Sequence, residues 1–345
     1  MTNVPGLSGV PLALTPLTRK DLASDQEVRW CPGCGDYAIL AAVQASMADL
    51  GIRRENIVIV SGIGCSSRFP YYMNAYGIHS LHGRAPTIAT GIALARPDLS
   101  VWVVTGDGDA LSIGGNHLVH ALRRNLNITV LLFNNRIYSL TKGQFSPTSE
   151  RGKVTKTSPA GSVDAPLDPI VLALGAGATF VARALDSDRQ QLAEVLGAAA
   201  AHRGAALVEI YQNCPIFNDG AFDALRAKDS PGLLRLRHGE PVTFGDGLGV
   251  VRDPATGKLS VAPLADIDPS RLVVHDAHDP DPGTASALAR LTDTATLAQA
   301  PVGVFRAVSA PVFDDDARAQ VSKPEASERI AALQRLVTGT DTWAV

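Results

Sequence analysis

The chain has 345 residues, of which 46% are hydrophobic and 19% charged, and its formal net charge is −3. It is long enough to bury a large core, and its slight acidity excludes a general basic surface for nucleic acid. No apolar run approaches the roughly 18 residues of a membrane span, and the first 25 residues lack the pattern of a signal peptide. We therefore expect a cytoplasmic protein that binds neither nucleic acid nor membrane.

The first part of the chain alternates between helical and strand-like apolar patterns. Residues 1–29, rich in Pro, Thr and Leu, precede this part and predict an extended arm that lies on a partner. Within residues 30–235, the predicted helices are 36–51, 87–95, 116–124 and 192–202, and the predicted strands are 57–60, 101–105, 128–133 and 205–211. Such alternation predicts an α/β fold with an open, mostly parallel sheet and helices on both faces.

The character of the chain changes after residue 235. Gly, Pro and Asp crowd residues 236–345, which predicts an irregular C-terminal region. One helix is predicted near 325–337, for packing or subunit contact.

Two polar segments follow consecutive predicted strands. Gly106-Asp107-Gly108-Asp109 comes after one strand, and Asn134-Asn135 comes after the next. Ligands of open α/β sheets bind at the carboxyl ends of strands, where glycines let the backbone approach a phosphate. Carboxylate and amide oxygens are suitable ligands for Mg²⁺. Gly-Asp-Gly alone is an ordinary turn sequence, but the pair of segments favours a phosphate and magnesium site.

The four cysteines of the chain are Cys31, Cys34, Cys65 and Cys214. They could bind an iron–sulfur cluster, form a Cys₄ zinc site, or include a thioredoxin-like dithiol. The dithiol alternative is weak, because no strand precedes Cys31-Pro32-Gly33-Cys34 and the other two cysteines would have no role. Zinc sites more often pair two Cys-x-x-Cys segments, so we favour the cluster and keep zinc as the alternative.

Gly-Asp-Gly followed by Asn-Asn at this spacing resembles the thiamine diphosphate enzymes. The resemblance implies that Asp107, Asn135 and the carbonyl of Ile137 hold Mg²⁺. It also implies that Gly108 and Asp109 lie against the diphosphate and that Gly106 is a cofactor-binding residue. Arg136 departs from the acidic or small residue frequent at its position in that family, but only the Ile137 carbonyl concerns the metal.

Within these enzymes, the chain resembles the β subunit of the 2-oxoacid:ferredoxin oxidoreductases from about residue 28 to 230. The matching motifs are WCPGCG (30–35), GIGCSSR (62–68), HGR (82–84), GDGDALSIGGNH (106–117), NNRIYSLTKGQFSPTS (134–149) and NCP (213–215). The resemblance implies that the four cysteines ligate one [4Fe–4S] cluster. The cofactor-binding residues that it suggests are Ile63, Gly64, Cys65, Ser66, His82, Ser139 and Leu140.

The same resemblance predicts a reaction and partners. It implies the oxidative decarboxylation of a 2-oxoacid with coenzyme A, with electrons passing through the cluster to ferredoxin. Segment 138–144 is most similar to members that act on 2-oxoglutarate. Lys142 would meet a substrate carboxylate or a coenzyme A phosphate, although a solvated lysine is an equal alternative.

Thiamine enzymes need a glutamate on a pyrimidine-binding domain, and this chain shows no second βαβ set that could supply one. We therefore expect an obligate α subunit and an α₂β₂ assembly. Two alternatives stay open: a non-redox thiamine lyase or decarboxylase subunit with zinc, and a scaffold subunit with a vestigial cofactor site.

Overall fold

The computed structural model describes residues 4–227, 230–321, 325 and 327–341. Its strands are β1 (Ile57–Ser61), β2 (Tyr76–His79), β3 (Ser100–Gly106), β4 (Thr129–Asn134), β5 (Phe180–Leu185), β6 (Ala206–Tyr211), β7 (Leu233–Leu236), β8 (Thr243–Phe244), β9 (Leu248–Arg252), β10 (Leu259–Pro263) and β11 (Ala300–Ala307). Eight of them form one sheet in the order β2-β1-β3-β4-β6-β5-β11-β7, and β10-β9-β8 form a small antiparallel sheet. Strands β1 to β6 are mutually parallel, whereas β11 runs antiparallel to β5.

Helices cover both faces of the large sheet, as predicted. They are α1 (Asp36–Asp49), α2 (Ala85–Ala95), α3 (Asp107–Leu111), α4 (Gly115–Arg123), α5 (Pro169–Gly175), α6 (Arg189–Ala201), α7 (Asp223–Arg226), α8 (Gly283–Ala289), α9 (Phe313–Ala319) and α10 (Arg329–Thr338). Alternate residues of the central strands enter opposite cores. Val103 of β3 lies in the core that also contains α2, α4, α5 and α8, while Val104 lies in the core that contains α1 and α6. A strand buried on both faces explains why the strand segments are almost continuously apolar.

Strands β5 and β11 are the main elements that the sequence did not indicate. Strand β5 carries the charged Arg183 in its centre, and β11 comes from the C-terminal region. Their pairing depends on partners more than 100 residues apart in the chain, such as Gly303 opposite Arg183. Local periodicity contains no information about such a partner, so only the folded chain reveals it.

The N-terminal arm lies on its own chain over residues 4–29. Leu7, Val10 and Leu22 are buried in the core that also contains α1 and α6. Leu12 forms an antiparallel bridge with Ile52. The arm therefore covers one helical layer of the sheet.

Helix α10 has an exposed apolar stripe. Ile330, Leu333 and Leu336 are 79%, 60% and 81% exposed. These positions are three residues apart and lie on one side of a helix. Subunit contact through α10 stays a prediction. Among the described residues, no helix combines the length and apolar character needed to cross a bilayer.

His202, which follows α6, gives the fold a dependence on pH. Its Nε2 lies 2.7 Å from Thr179 Oγ1, and burial lowers the pKa of His202 to about 4. Between this value and an ordinary pKa of about 6.5, the unfolded chain binds a proton that the folded chain does not. The folded state is therefore favoured above that window and loses stability as the pH falls through it.

We expect the free energy of unfolding to fall by up to about 3 kcal/mol more in the wild type than in His202→Gln between pH 7 and pH 4. Urea denaturation at a series of pH values measures this difference. His120→Gln, which changes an exposed histidine of α4, is the control and should follow the wild type. Equal pH dependence in the wild type and His202→Gln would contradict the prediction.

Candidate cofactor and iron–sulfur site

A groove of about 40 Å³, here called the strand-end groove, lies at the carboxyl ends of β1, β3 and β4. The chain passes from β1 outward to β2 and returns to β3 on the other side of β1, so the loops after β1 and β3 diverge and leave a crevice. The predicted residues that line it are Ile63, Gly64, Cys65, Ser66, Gly106, Asp107, Gly108, Asp109, Asn135, Ile137, Ser139 and Leu140. The groove therefore brings together residues from three strand ends.

Asp107 has the environment of a cation ligand. Its side chain is buried, and Oδ2 accepts hydrogen bonds from Ser146 Oγ at 2.5 Å and from Thr148 Oγ1 at 2.6 Å. Burial raises the pKa of Asp107, and in the described part of the chain no Lys, Arg or His forms an ion pair with it. Because its hydrogen-bond partners are neutral hydroxyls, a bound cation would supply the missing positive charge. The residues thus fit a magnesium ion.

Asn135 and Ile137 share a tight turn at the end of β4. Asn135 Oδ1 accepts a hydrogen bond from the Ile137 amide at 3.2 Å, and its Nδ2 donates to Ser139 Oγ at 2.9 Å. Arg136 between them is in the left-handed region, with φ of 58°. Its guanidinium points away from the groove and donates to the carbonyls of Thr148 and Thr294. The residue that departs from the family pattern therefore does not contact the groove.

Asp109 joins the loops around the groove. Its Oδ1 accepts a hydrogen bond from the Gly83 amide and lies next to His82 Nδ1, both at 2.7 Å, while Oδ2 accepts from Thr105 Oγ1 at 2.7 Å. A Cβ on Gly62 would lie 1.7 Å from the Asp109 carboxylate, so only glycine fits there. The structure places His82 beside the groove and not among its lining residues.

Tyr138 is a lining residue that sequence analysis missed. Its hydroxyl donates to the Gly108 carbonyl at 2.7 Å, and a Cβ on Gly108 would lie 2.3 Å from the tyrosine ring. The contact with Tyr138 therefore leaves no room for a side chain at position 108, independently of a bound phosphate. Its position in the sequence, three residues after the predicted ligand Asn135, is the feature that could have identified Tyr138 as a lining residue.

A second cavity, of about 200 Å³, contains all four cysteines in its lining and is here called the cysteine cavity. Arg29, Arg68 and Lys142 also line it, and no described Asp or Glu does. Trp30 also lines the cavity, and its indole Nε1 donates to the Cys65 carbonyl at 2.7 Å. The fold therefore unites cysteines that are up to 183 positions apart in the sequence.

The thiols of this cavity need a positive centre to become thiolates. Burial raises the pKa of Cys65 to about 12, with the carboxylate of Asp36 as the next cause, and burial raises the pKa of Cys34 further. A bound zinc ion or an iron–sulfur cluster would supply that positive charge, so the four thiols suit either group.

The two cavities share a wall. The residues that line both are Cys65, Asn135, Ser139, Leu140 and Gln212. A group bound in one cavity would therefore lie next to a group bound in the other. Gln212, which follows β6 and precedes Asn213-Cys214, was not identified from the sequence.

A buried ion pair in the large sheet is connected to the groove through hydrogen bonds. Arg183 Nε donates to Glu209 Oε2 at 2.6 Å, and Asn134 Nδ2 donates to Glu209 Oε1 at 2.7 Å. Asn134 Oδ1 in turn lies 2.9 Å from Thr148 Oγ1, whose one proton is donated to Asp107 Oδ2. A chain of polar contacts thus connects the centre of the sheet to the predicted magnesium ligand.

Comparison with known proteins agrees with this geometry. Residues 62–210 match the family model described as "Thiamine pyrophosphate enzyme, C-terminal TPP binding domain". The 2-oxoglutarate oxidoreductase subunit KorB of Mycobacterium tuberculosis is 62% identical over 342 residues, which cover 98% of this chain and 91% of that protein. The chain belongs to the β subunits of the 2-oxoglutarate:ferredoxin oxidoreductases.

A second protein and a solved structure are also similar to this chain. The β subunit of 2-oxoacid:ferredoxin oxidoreductase 2 of Aeropyrum pernix is 49% identical over 199 residues, which cover 58% of this chain and 64% of that protein. A solved structure of 2-oxoglutarate:ferredoxin oxidoreductase from Magnetococcus marinus, with 2-oxoglutarate, coenzyme A and succinyl-CoA bound, has a TM-score of 0.73 at 35% identity. It covers 94% of this chain and 99% of the matched chain.

Membership of the family confirms three sequence predictions. The fold is that of a thiamine diphosphate-binding domain, the bound cofactor of that domain is thiamine diphosphate, and the chain is an oxidoreductase subunit. A β subunit of a multi-subunit oxidoreductase implies an α subunit as its partner.

Proposed function

We propose that this chain, together with its α subunit, catalyses the oxidative decarboxylation of 2-oxoglutarate with coenzyme A. The products are succinyl-CoA and CO₂, and the electrons pass to ferredoxin through one [4Fe–4S] cluster held by Cys31, Cys34, Cys65 and Cys214. The observation that carries the proposal is the shared wall between the strand-end groove and the cysteine cavity. Adjacent cofactors would allow fast electron transfer from one to the other.

Different residues of the strand-end groove would contact different parts of the cofactor. Asp107, Asn135 and the Ile137 carbonyl would ligate Mg²⁺, and Gly106, Gly108 and Asp109 would lie against the diphosphate. Ile63 to Ser66 and the pair Ser139 and Leu140 would contact the thiamine. When bound, thiamine supplies the carbanion that attacks the keto carbon of the substrate. The protein places the reacting groups and provides electrostatic stabilisation.

Charged residues near the cysteine cavity suit anionic ligands. Lys142 lines this cavity, and its side chain is exposed. We assign Lys142 to a substrate carboxylate or a coenzyme A phosphate, and His82 to the edge of the diphosphate site. The α subunit would supply the pyrimidine-binding domain and its activating glutamate in an α₂β₂ assembly.

The deciding experiment is a visible spectrum and metal analysis of the α–β complex purified without oxygen. A brown sample with a broad band near ~400 nm that bleaches on reduction, and about four irons per β chain, would support the cluster. Succinyl-CoA formation with ferredoxin reduction would support the reaction. A colourless complex with one zinc per chain would favour the non-redox alternative and contradict the proposal.

A further inference from the structure

Gln212 occupies the boundary between the two cavities. It follows the last residue of β6, is only 1% exposed, and its backbone amide donates to the Asn134 carbonyl at 2.9 Å. Asn134 immediately precedes the predicted magnesium ligand Asn135. Gln212 is therefore attached to the metal-binding turn on one side and lines the cysteine cavity on the other.

The side chain of Gln212 points at a cysteine sulfur. Its Nε2 donates to Cys34 Sγ at 3.2 Å and also to the Asn213 carbonyl, so both amide protons have acceptors. A primary amide has two such protons, and neither is left to rotate toward another group. The orientation of the donor is thus determined by the protein.

Close backbone packing maintains this contact. The Gly35 amide donates to the Asn213 carbonyl at 3.1 Å, and a Cβ on Gly35 would lie 2.9 Å from Gln212 Cγ. The Asn213 amide donates to Asp186 Oδ2 at 2.9 Å. The glycine after Cys34 therefore lets the cysteine loop lie directly on the Gln212 side chain.

A hydrogen bond to a ligating sulfur changes the redox properties of a cluster. Reduction adds negative charge to the cluster and its thiolates, and an N–H donor stabilises that charge. The effect is larger where water is excluded, as at the buried Gln212 side chain next to the half-buried Cys34. Removing the donor should therefore favour the oxidised cluster.

We propose that Gln212 is a positioning residue that raises the reduction potential of the cluster through its hydrogen bond to Cys34, on the side that faces the thiamine groove. This inference rests on the proposed function, because it requires the four cysteines to hold a [4Fe–4S] cluster. It adds a determinant of electron acceptance that is not a ligand of the cluster.

The test compares the α–β complex of the wild type with that of Gln212→Met, which keeps the length of the side chain and removes the donor. A redox titration followed by electron paramagnetic resonance measures the midpoint potential, and iron analysis measures cluster content. We expect the Gln212→Met complex to keep its full iron content. At a fixed potential, its ratio of oxidised to reduced cluster should be about three- to tenfold higher than that of the wild type. Gln44→Met is the control, because Gln44 is a buried glutamine that donates to the Tyr72 carbonyl instead of a sulfur. It should leave the potential unchanged.

An unchanged potential in a fully loaded Gln212→Met complex would overturn the inference while leaving the proposed function intact. Absence of iron from the wild-type complex would instead overturn the proposed function. If the Gln212→Met complex does not fold, a second measurement tests the inference on the wild type alone. Pulsed electron paramagnetic resonance of reduced complex labelled with ¹⁵N in glutamine side chains should detect a nitrogen coupled to the cluster. Lack of that coupling would also overturn the inference.

Discussion

Replacing Asp107 with asparagine should weaken magnesium-dependent binding of thiamine diphosphate by at least about 100-fold. Loss of even an outer-shell partner of a metal ligand costs 10- to 100-fold in affinity, and Asp107 is the predicted ligand itself. Asparagine keeps an oxygen that can accept the hydrogen bonds of Ser146 and Thr148. The expected loss therefore reflects the missing charge and not a collapsed loop.

The chain contains its own control for this experiment. Gly245-Asp246-Gly247 repeats the same tripeptide, but it forms an exposed turn between β8 and β9. Asp246→Asn should bind thiamine diphosphate as the wild type does. Calorimetric titration of the α–β complex at several Mg²⁺ concentrations measures both variants. Equal affinity in Asp107→Asn and Asp246→Asn would rule out Asp107 as a metal ligand.

The second large effect concerns the stability of the sheet. We expect Glu209→Leu to lower the free energy of unfolding by about 3–5 kcal/mol, because removal of one partner of a buried ion pair leaves the other charge poorly compensated. Both Arg183 and Glu209 are fully buried, and among the described residues only Asp168, at 3.2 Å, would remain as an anionic partner of the arginine. Chemical denaturation of the purified protein measures the change.

Two further variants identify the cause of that loss. The double variant Arg183→Met with Glu209→Leu should recover part of the stability, since no unpaired charge remains in the core. Asp315→Leu removes a partner of Arg203, which it contacts at the same 2.6 Å but at a partly exposed site. It should cost about 1 kcal/mol or less. If the double variant is no more stable than Glu209→Leu, the loss of stability comes from the changed side-chain shape and not from an unpaired charge.

Loss of Glu209 should also affect the site. Its Oε1 accepts a hydrogen bond from Asn134 Nδ2, and Asn134 Oδ1 lies 2.9 Å from the Thr148 hydroxyl that donates to Asp107. The stability of the sheet and the geometry of the groove are therefore connected through Asn134. The first asparagine of the Asn-Asn pair supports the structure, whereas the second lines the groove.

Much of the fold and site was predictable from the sequence. The strands that end at Gly106 and Asn134, helix α4 between them and the set of four cysteines are encoded locally, whereas the short helix α3 was not predicted. Short apolar runs, glycines and polar residues at strand ends each have a conformational or chemical meaning that requires no distant partner. The resemblance to a family then assigned roles to these residues.

Only the tertiary structure decided which distant residues meet. Strand β11 joins the sheet next to β5, Tyr138 fills the space beside Gly108, and Gln212 donates to Cys34 although 178 positions separate them. Such contacts depend on strand order and on packing between layers, and neither leaves a local period in the sequence. The sequence by itself therefore determined the chemical groups of this β subunit. The folded chain determined that the cofactor groove and the cysteine cavity share a wall, because five parallel strands, β1, β3, β4, β5 and β6, bring their carboxyl ends to one edge of the sheet.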